Sequence, residues 1–179
     1  MIAQVPRYNR GMKFSSLVFA AAAVSCCAFV HPQESADKKA FDKFKTLVGT
    51  WKGKAGFGED MSDTTVTYKL VGGGTTLVET LFEGTPHEMV SMYHMDGDSF
   101  VMTHYCAAGN QPTFKYKSTQ TERAYTLDFW KGSNMKESDM HMHTVRFFFA
   151  EADHVVSEWT SWQNGKDAGT VKFDLKRQK

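Results

Sequence analysis

The chain predicts a single all-β domain, an antiparallel sandwich or barrel of about ten strands with one short helix at its N-terminal end. Three observations predict it. Beyond residue 50 the hydrophobic pattern has period two, as where Val66, Tyr68 and Leu70 alternate with Thr65, Thr67 and Lys69. Turn-forming residues divide that pattern into short segments, at Gly72-Gly73-Gly74, Gly109-Asn110, Gly132-Ser133-Asn134 and Asn164-Gly165. No helical periodicity of useful length competes with it over the same stretch.

Length and charge bound the rest. At 179 residues the chain suffices for one domain with a closed core. Lys plus Arg number 21 against 20 Asp plus Glu, so there is no basic footprint and no nucleic-acid partner is expected. Aromatics make up 13% of the chain and Phe alone fills 14 positions, enough to build a packed interior.

The first segment reads as an address. Arg7, Arg10 and Lys13 precede an apolar run from Leu17 to Val24, followed by the small residues Ser25, Cys26, Cys27 and Ala28. That order is a secretory signal peptide over residues 1–28, and the run is too short to span a membrane. Met12-Lys13-Phe14 is the more natural start of such a leader. Ala23-Val24-Ser25-Cys26 loosely resembles a bacterial lipobox, so cleavage before Cys26 would leave a lipid anchor. Cleavage after Ala28 would release a soluble periplasmic or secreted protein. The expected address is export, with any membrane contact made only through that anchor.

Residues 29–35 form a polar tether, and Ser35 caps a helix from Ala36 to about Val48 whose apolar face carries Phe41, Phe44 and Val48. Gly49 ends it and a strand opens at Thr50-Trp51-Lys52-Gly53. Further strands fit residues 76–83, a hairpin within 86–112, and 113–119, 123–130, 141–150, 154–163 and 168–176. The domain is therefore expected over residues 36–179.

Leu47-Val48-Gly49-Thr50-Trp51 is similar to the opening of the lipocalin and calycin superfamily, where Gly-x-Trp starts the first strand beneath a short helix. Phe173-Asp174-Leu175-Lys176-Arg177 matches the end of the last strand there, where a basic residue often covers the Trp. From about residue 40 to 177 the chain also resembles a group of uncharacterised bacterial secreted proteins with a lipocalin-like barrel. The residues that carry this likeness are Leu77 to Phe82, Thr85 to Met89, Thr103 to Cys106 and Gly109 to Pro112. The resemblance implies a single antiparallel lipocalin-like β-barrel and an exported address. It supplies no activity.

The chemistry concentrates in the hairpin between Pro86 and Pro112, which holds His87, Met89, His94, Met95, Met102, His104 and Cys106. A type I′ turn at Asp96-Gly97 would pair Tyr93 with Phe100, Met89 with His104 and His87 with Cys106. Alternation then puts His87, Met89, Ser91, Tyr93, Phe100, Met102, His104 and Cys106 on one face. An inward face with apolar bulk and a few polar groups is the ordinary lining of a small-molecule site. His87, Tyr93, Met102, His104 and Cys106 are the expected lining, with Asn110 and Gln111 at the rim. Glu79 shares a face with Leu77 and Leu81. If inward, it needs a partner, for which Arg146 is the candidate, or a raised pKa.

The function expected is non-catalytic binding of a small apolar or amphipathic molecule. A second reading places haem or a transition metal on histidines, similar in outline to the nitrobindin barrels, with His154 or His143 as candidate haem ligands. His141 and His143, at i and i+2 on one strand, are the candidate metal chelate. They share the face of Val145, Phe147 and Phe149, which would set them at the mouth of the pocket. A third reading is an enzyme with a histidine or Glu79 as general base. A hydrolase on Ser91 or Cys106 with His104 would also need an orienting group, and no catalytic fingerprint motif is present.

Overall fold

The computed structural model describes residues 34–118 and 123–179. The expected signal peptide over residues 1–28 and most of the expected tether fall outside the described residues. Helix α1 (Ala36–Lys45) begins where Ser35 Oγ accepts the Lys38 amide at 3.1 Å. It stops three residues short of Val48. The amides of Thr46 and Leu47 reach back only three residues, to the carbonyls of Lys43 and Phe44, which tightens the last turn.

Ten strands follow: β1 (Gly49–Phe57), β2 (Asp60–Val71), β3 (Thr76–Leu81), β4 (Met89–Asp96), β5 (Ser99–Tyr105), β6 (Gln111–Lys117), β7 (Ala124–Ser133), β8 (His141–Glu151), β9 (His154–Gln163) and β10 (Lys166–Arg177). Each pairs antiparallel with its sequence neighbours, and β1 pairs with β10 from Trp51↔Arg177 to Phe57↔Val171. The result is a closed barrel, which leaves no free sheet edge. The expected all-β barrel of about ten strands with a short N-terminal helix is what the chain forms.

Alternate residues of every strand fill the interior, among them Trp51, Val66, Leu77, Phe114, Leu127, Phe147 and Leu175. Helix α1 closes one end. Phe44 is fully buried, with its ring 4.8 Å from Phe147, 5.1 Å from Phe100 and 5.4 Å from Tyr93. Asp37 Oδ2 accepts the Phe100 amide at 2.8 Å and so ties the helix to the start of β5. At the α1 end of the barrel, Arg177 lies 4.3 Å over the Trp51 ring and donates to the carbonyls of Val48 at 2.6 Å and Thr46 at 2.7 Å. The Trp51 indole N–H donates to Leu47 O at 2.7 Å. The basic residue expected over the tryptophan is therefore present, and it also secures the chain where the helix becomes a strand.

Two local expectations are corrected. The β4–β5 loop is Gly97-Asp98, flanked by the pair Asp96↔Ser99, not Asp96-Gly97. Gly97 has φ 58° and Asp98 does not enter the positive region, which fits a II′ turn with glycine first and excludes I′. The pairing consequently slips by two residues: Tyr93 faces Met102 and Ser91 faces His104. A slip of two preserves the face, so Ser91, Tyr93, Phe100, Met102 and His104 all remain inward and buried. The second correction is in β8, where the register shifts between Met142 and Thr144. That bulge breaks the shared face of His143 and Val145.

Phe44→Ala should lower the unfolding free energy by about 3–5 kcal/mol, because a rigid barrel end cannot collapse around the void. Val48→Ala, at an exposed position, should stay within about 0.5 kcal/mol of wild type. Guanidinium unfolding midpoints of the two variants measure the difference.

Candidate functional site

The end of the barrel opposite α1 holds a cavity of 460 Å³. Its wall comes from the far ends of the strands: Ala55, Gly56 and Phe57 of β1, Leu81 at the end of β3 and Phe82 after it, Met89, Met142, Trp159, and Val171 and Phe173 of β10. Thr85, His87 and Ala107 belong to the rim loops, and His104 is the one buried polar side chain in the wall. The wall includes no Lys, Arg, Asp or Glu.

His104 has unequal edges. Its Nδ1 lies 3.0 Å from Ser91 Oγ, while Nε2 is buried without a partner. The Trp159 ring packs 5.0 Å from the imidazole. Burial pushes the imidazole pKa down from 6.5 to about 4, so it is neutral at physiological pH. Among the described residues, buried side-chain atoms without a partner occur also at Thr64 Oγ1 and Asn110 Oδ1, but neither residue lines the cavity.

Behind His104 runs a row of polar side chains across four strands. The ladder pairs Tyr68 with Glu79, Glu79 with Ser91, and Ser91 with His104, so these residues stand side by side on the inner face of β2, β3, β4 and β5. Glu79 is 1% exposed; the Tyr68 hydroxyl donates to its Oε1 at 2.6 Å and the Tyr93 hydroxyl to its Oε2 at 2.7 Å. Burial raises the carboxyl pKa, against hydrogen bonds from Tyr68, Tyr93 and Ser91 that favour the ionised form. Burial beside that carboxyl also raises the pKa of both tyrosines well above the ordinary phenol value. Arg146 is not the partner of Glu79. It is exposed on the outer face, opposite Glu158.

Ser91, His104 and Glu79 are the residue types of a hydrolytic triad in a different order. In a triad the acid orients the imidazole and the hydroxyl faces substrate. Here the acid stands beside the serine and is bonded by Tyr68 and Tyr93, the serine is fully buried, and the imidazole faces the cavity. The arrangement orients a histidine; it does not present a nucleophile.

The other expected site residues separate. Tyr93 and Met102 are fully buried in the core and are not part of the cavity wall. His87 precedes β4 on an exposed loop and reaches the rim. Cys106 sits half-buried in the turn after β5, its amide donating to Asn110 O at 3.1 Å. Asn110 is buried and donates to Met140 O at 2.7 Å. Gln111 accepts from Ser133 Oγ at 2.9 Å and Asn134 Nδ2 at 3.0 Å.

His141 and His143 form their own pair, Nε2 to Nδ1 at 3.1 Å, and His141 Nδ1 donates to Asp139 O at 2.8 Å. Trp162 stacks 3.9 Å from the His143 ring and Phe129 lies 4.7 Å from that of His141. Burial and the neighbouring His141 lower the His143 pKa. The expected position at the pocket mouth is corrected by the bulge: Met142, between the two histidines, lines the cavity and they do not. His154 bonds Asp174 Oδ1 at 2.8 Å, also away from the wall. Among the described residues no three His, Cys, Asp or Glu side chains converge as a metal site.

No family model matches the chain, and no curated protein resembles it in sequence. Solved structures do resemble it in fold. The protein Rv2717c of M. tuberculosis aligns with a TM-score of 0.52 at 15% identity, over 78% of this chain and 98% of that one. A protein of unknown function from the DUF3598 family of Nostoc punctiforme aligns with a TM-score of 0.44 at 14% identity, over 75% of this chain. This chain spans 48% of the length of the Nostoc protein. At such identities the likeness to Rv2717c is one of barrel fold.

The proton balance of His104 is measurable. Above pH 6.5 the imidazole is neutral in folded and unfolded chains alike. As pH falls from 6.5 toward 4 the unfolded chain binds a proton that the folded chain excludes, so stability is lost in that window. The loss is on the order of 3 kcal/mol. His104→Phe should reduce the fall in unfolding free energy between pH 7 and pH 4 by about that amount, measured by guanidinium unfolding at each pH. An equal fall in both proteins would mean that the folded chain protonates His104 freely.

Proposed function

We propose that this is an exported binding barrel that holds one small, predominantly apolar molecule in the cavity opposite α1, with His104 as its polar anchor. The buried, unpartnered Nε2 in an otherwise apolar wall carries this reading. An unsatisfied buried polar group costs about 1–3 kcal/mol, and a bound ligand would supply the missing partner. A volume of 460 Å³ suits a small organic molecule. The leader expected over residues 1–28 supports an extracytoplasmic setting.

A neutral fluorescent probe, N-phenyl-1-naphthylamine, tests the site. Wild type should enhance its emission with saturation at one equivalent. Ala55→Phe, which places a ring in the cavity, should weaken binding at least about tenfold. Ala107→Trp, at an exposed rim position, should weaken it without burdening the core. Wild-type affinity in both folded variants would remove the cavity as the binding site.

A further inference from the structure

We infer that the cavity selects a flat aromatic molecule bearing one polar group over a saturated molecule of the same carbon skeleton, and that Phe82 tunes this preference. The inference rests on the binding reading above and names the ligand class of that same site. It follows from what the wall is made of and from the backbone that one of its rings occupies.

The apolar wall is built mainly from rings and thioethers. Phe57, Phe82, Trp159 and Phe173 contribute rings and Met89 and Met142 contribute sulfur. Among the described residues, Leu81 and Val171 are its only branched aliphatic side chains. The Phe82 and Phe173 rings lie 5.6 Å apart with planes at 46°, and the Trp159 ring lies 5.0 Å from that of His104. The Trp159 indole N–H is donated to Ser157 Oγ at 3.2 Å, so this side chain brings a π surface to the wall and no free donor. An aromatic ligand meets such a wall through offset or edge-to-face ring contacts and through sulfur against its ring. A saturated ligand buries comparable apolar area and makes neither contact. His104 is the one buried polar side chain in the wall, which matches a ligand with a single polar group.

The backbone at Phe82 supports the same ligand class. Among the described residues three non-glycine positions have positive φ: Phe82 at 54°, Asn134 at 53° and Asn164 at 52°. Asparagine tolerates that region, whereas a bulky side chain there is an outlier that stores strain. The turn that begins at Phe82 uses only its backbone. Its carbonyl accepts the Thr85 amide at 3.1 Å and the Thr85 hydroxyl at 2.7 Å. Glycine would form that turn without strain. What phenylalanine adds is a ring in the cavity wall, against Phe173. The strain is the cost of placing it.

Displacement of N-phenyl-1-naphthylamine by 2-naphthalenemethanol and by decahydro-2-naphthalenemethanol tests this. The two share a carbon skeleton and a primary alcohol, so apolar burial and the contact with His104 are matched. The aromatic alcohol should displace the probe at a concentration at least about tenfold lower. Phe82→Leu keeps an apolar side chain on the same backbone and should cut that ratio about threefold. Phe82→Gly, which relieves the strain, should cut it at least as far and serves if the leucine variant does not fold. In carbon-13 NMR of methyl-labelled methionine, the ring current of the aromatic alcohol should shift the methyls of Met89 and Met142, assigned with the two Met→Leu variants. Equal displacement by the two alcohols, with the probe bound, overturns the aromatic preference and leaves the binding reading standing. An unchanged ratio in the Phe82 variants overturns the role of that ring. Displacement without any shift of the two methyls places the aromatic ligand elsewhere and overturns the inference. Failure of the probe and of both alcohols to bind wild type overturns the binding reading instead.

Discussion

A carboxyl group buried in the middle of an aromatic barrel is the constraint on which the interior depends. Glu79 is almost inaccessible, and among the described residues it is hydroxyl groups, not a cation, that bond it. Burial penalises the ionised form, and the donors from Tyr68, Tyr93 and Ser91 oppose that penalty. They come from β2 and β4, the two strands that flank β3. A slip of either strand by one residue would send its donors to the outer face and leave the acid unsatisfied. The polar row therefore specifies register as well as chemistry, in strands whose other inward residues are interchangeable apolar bulk.

The row also divides the barrel into two unlike halves. On the α1 side, Phe44, Phe100, Phe147 and Phe149 fill the space, and Arg177 over Trp51 fastens the chain at that end. On the far side the same strands end in residues that line a void. His104 belongs to both halves, since one nitrogen reaches back to Ser91 and the other lies unpartnered in the cavity wall. A packed half confers rigidity and an open half offers volume. The histidine between them links the fixed network to any ligand.

Much of this was legible in the sequence, and the failures have specific causes. Period-two alternation and evenly spaced turns identify the barrel, and Gly-x-Trp with a terminal Arg identifies its closure. The inward face of the β4–β5 hairpin was legible because a two-residue error in register leaves side-chain direction unchanged. The same error hid the polar row: with Met89 opposite His104, nothing connects the histidine to Ser91 or Glu79. Tyr68 and Tyr93 read as core aromatics because a hydroxyl at the end of a ring leaves no mark on a hydrophobic pattern. The displacement of His141 and His143 was illegible for another reason. A bulge is one extra residue, and Met140 to Thr144 contains no glycine or proline to announce it.

Histidine density alone would have pointed to the wrong place. His141 and His143 are the closest imidazole pair, yet each ring spends a nitrogen on the other, and His141 spends its second on a carbonyl. Trp162 and Phe129 then shelter the pair. In the Glu79 row the polar side-chain atoms likewise have partners until the last, Nε2 of His104. A folded chain satisfies nearly all of its buried polar groups, so the informative one is the group left over. Thr64 and Asn110 also leave an oxygen over, but neither residue lines the apolar cavity. Of these three atoms among the described residues, Nε2 of His104 is the one in the wall of the apolar cavity, on a ring held by Ser91 and surrounded by residues that offer it no partner.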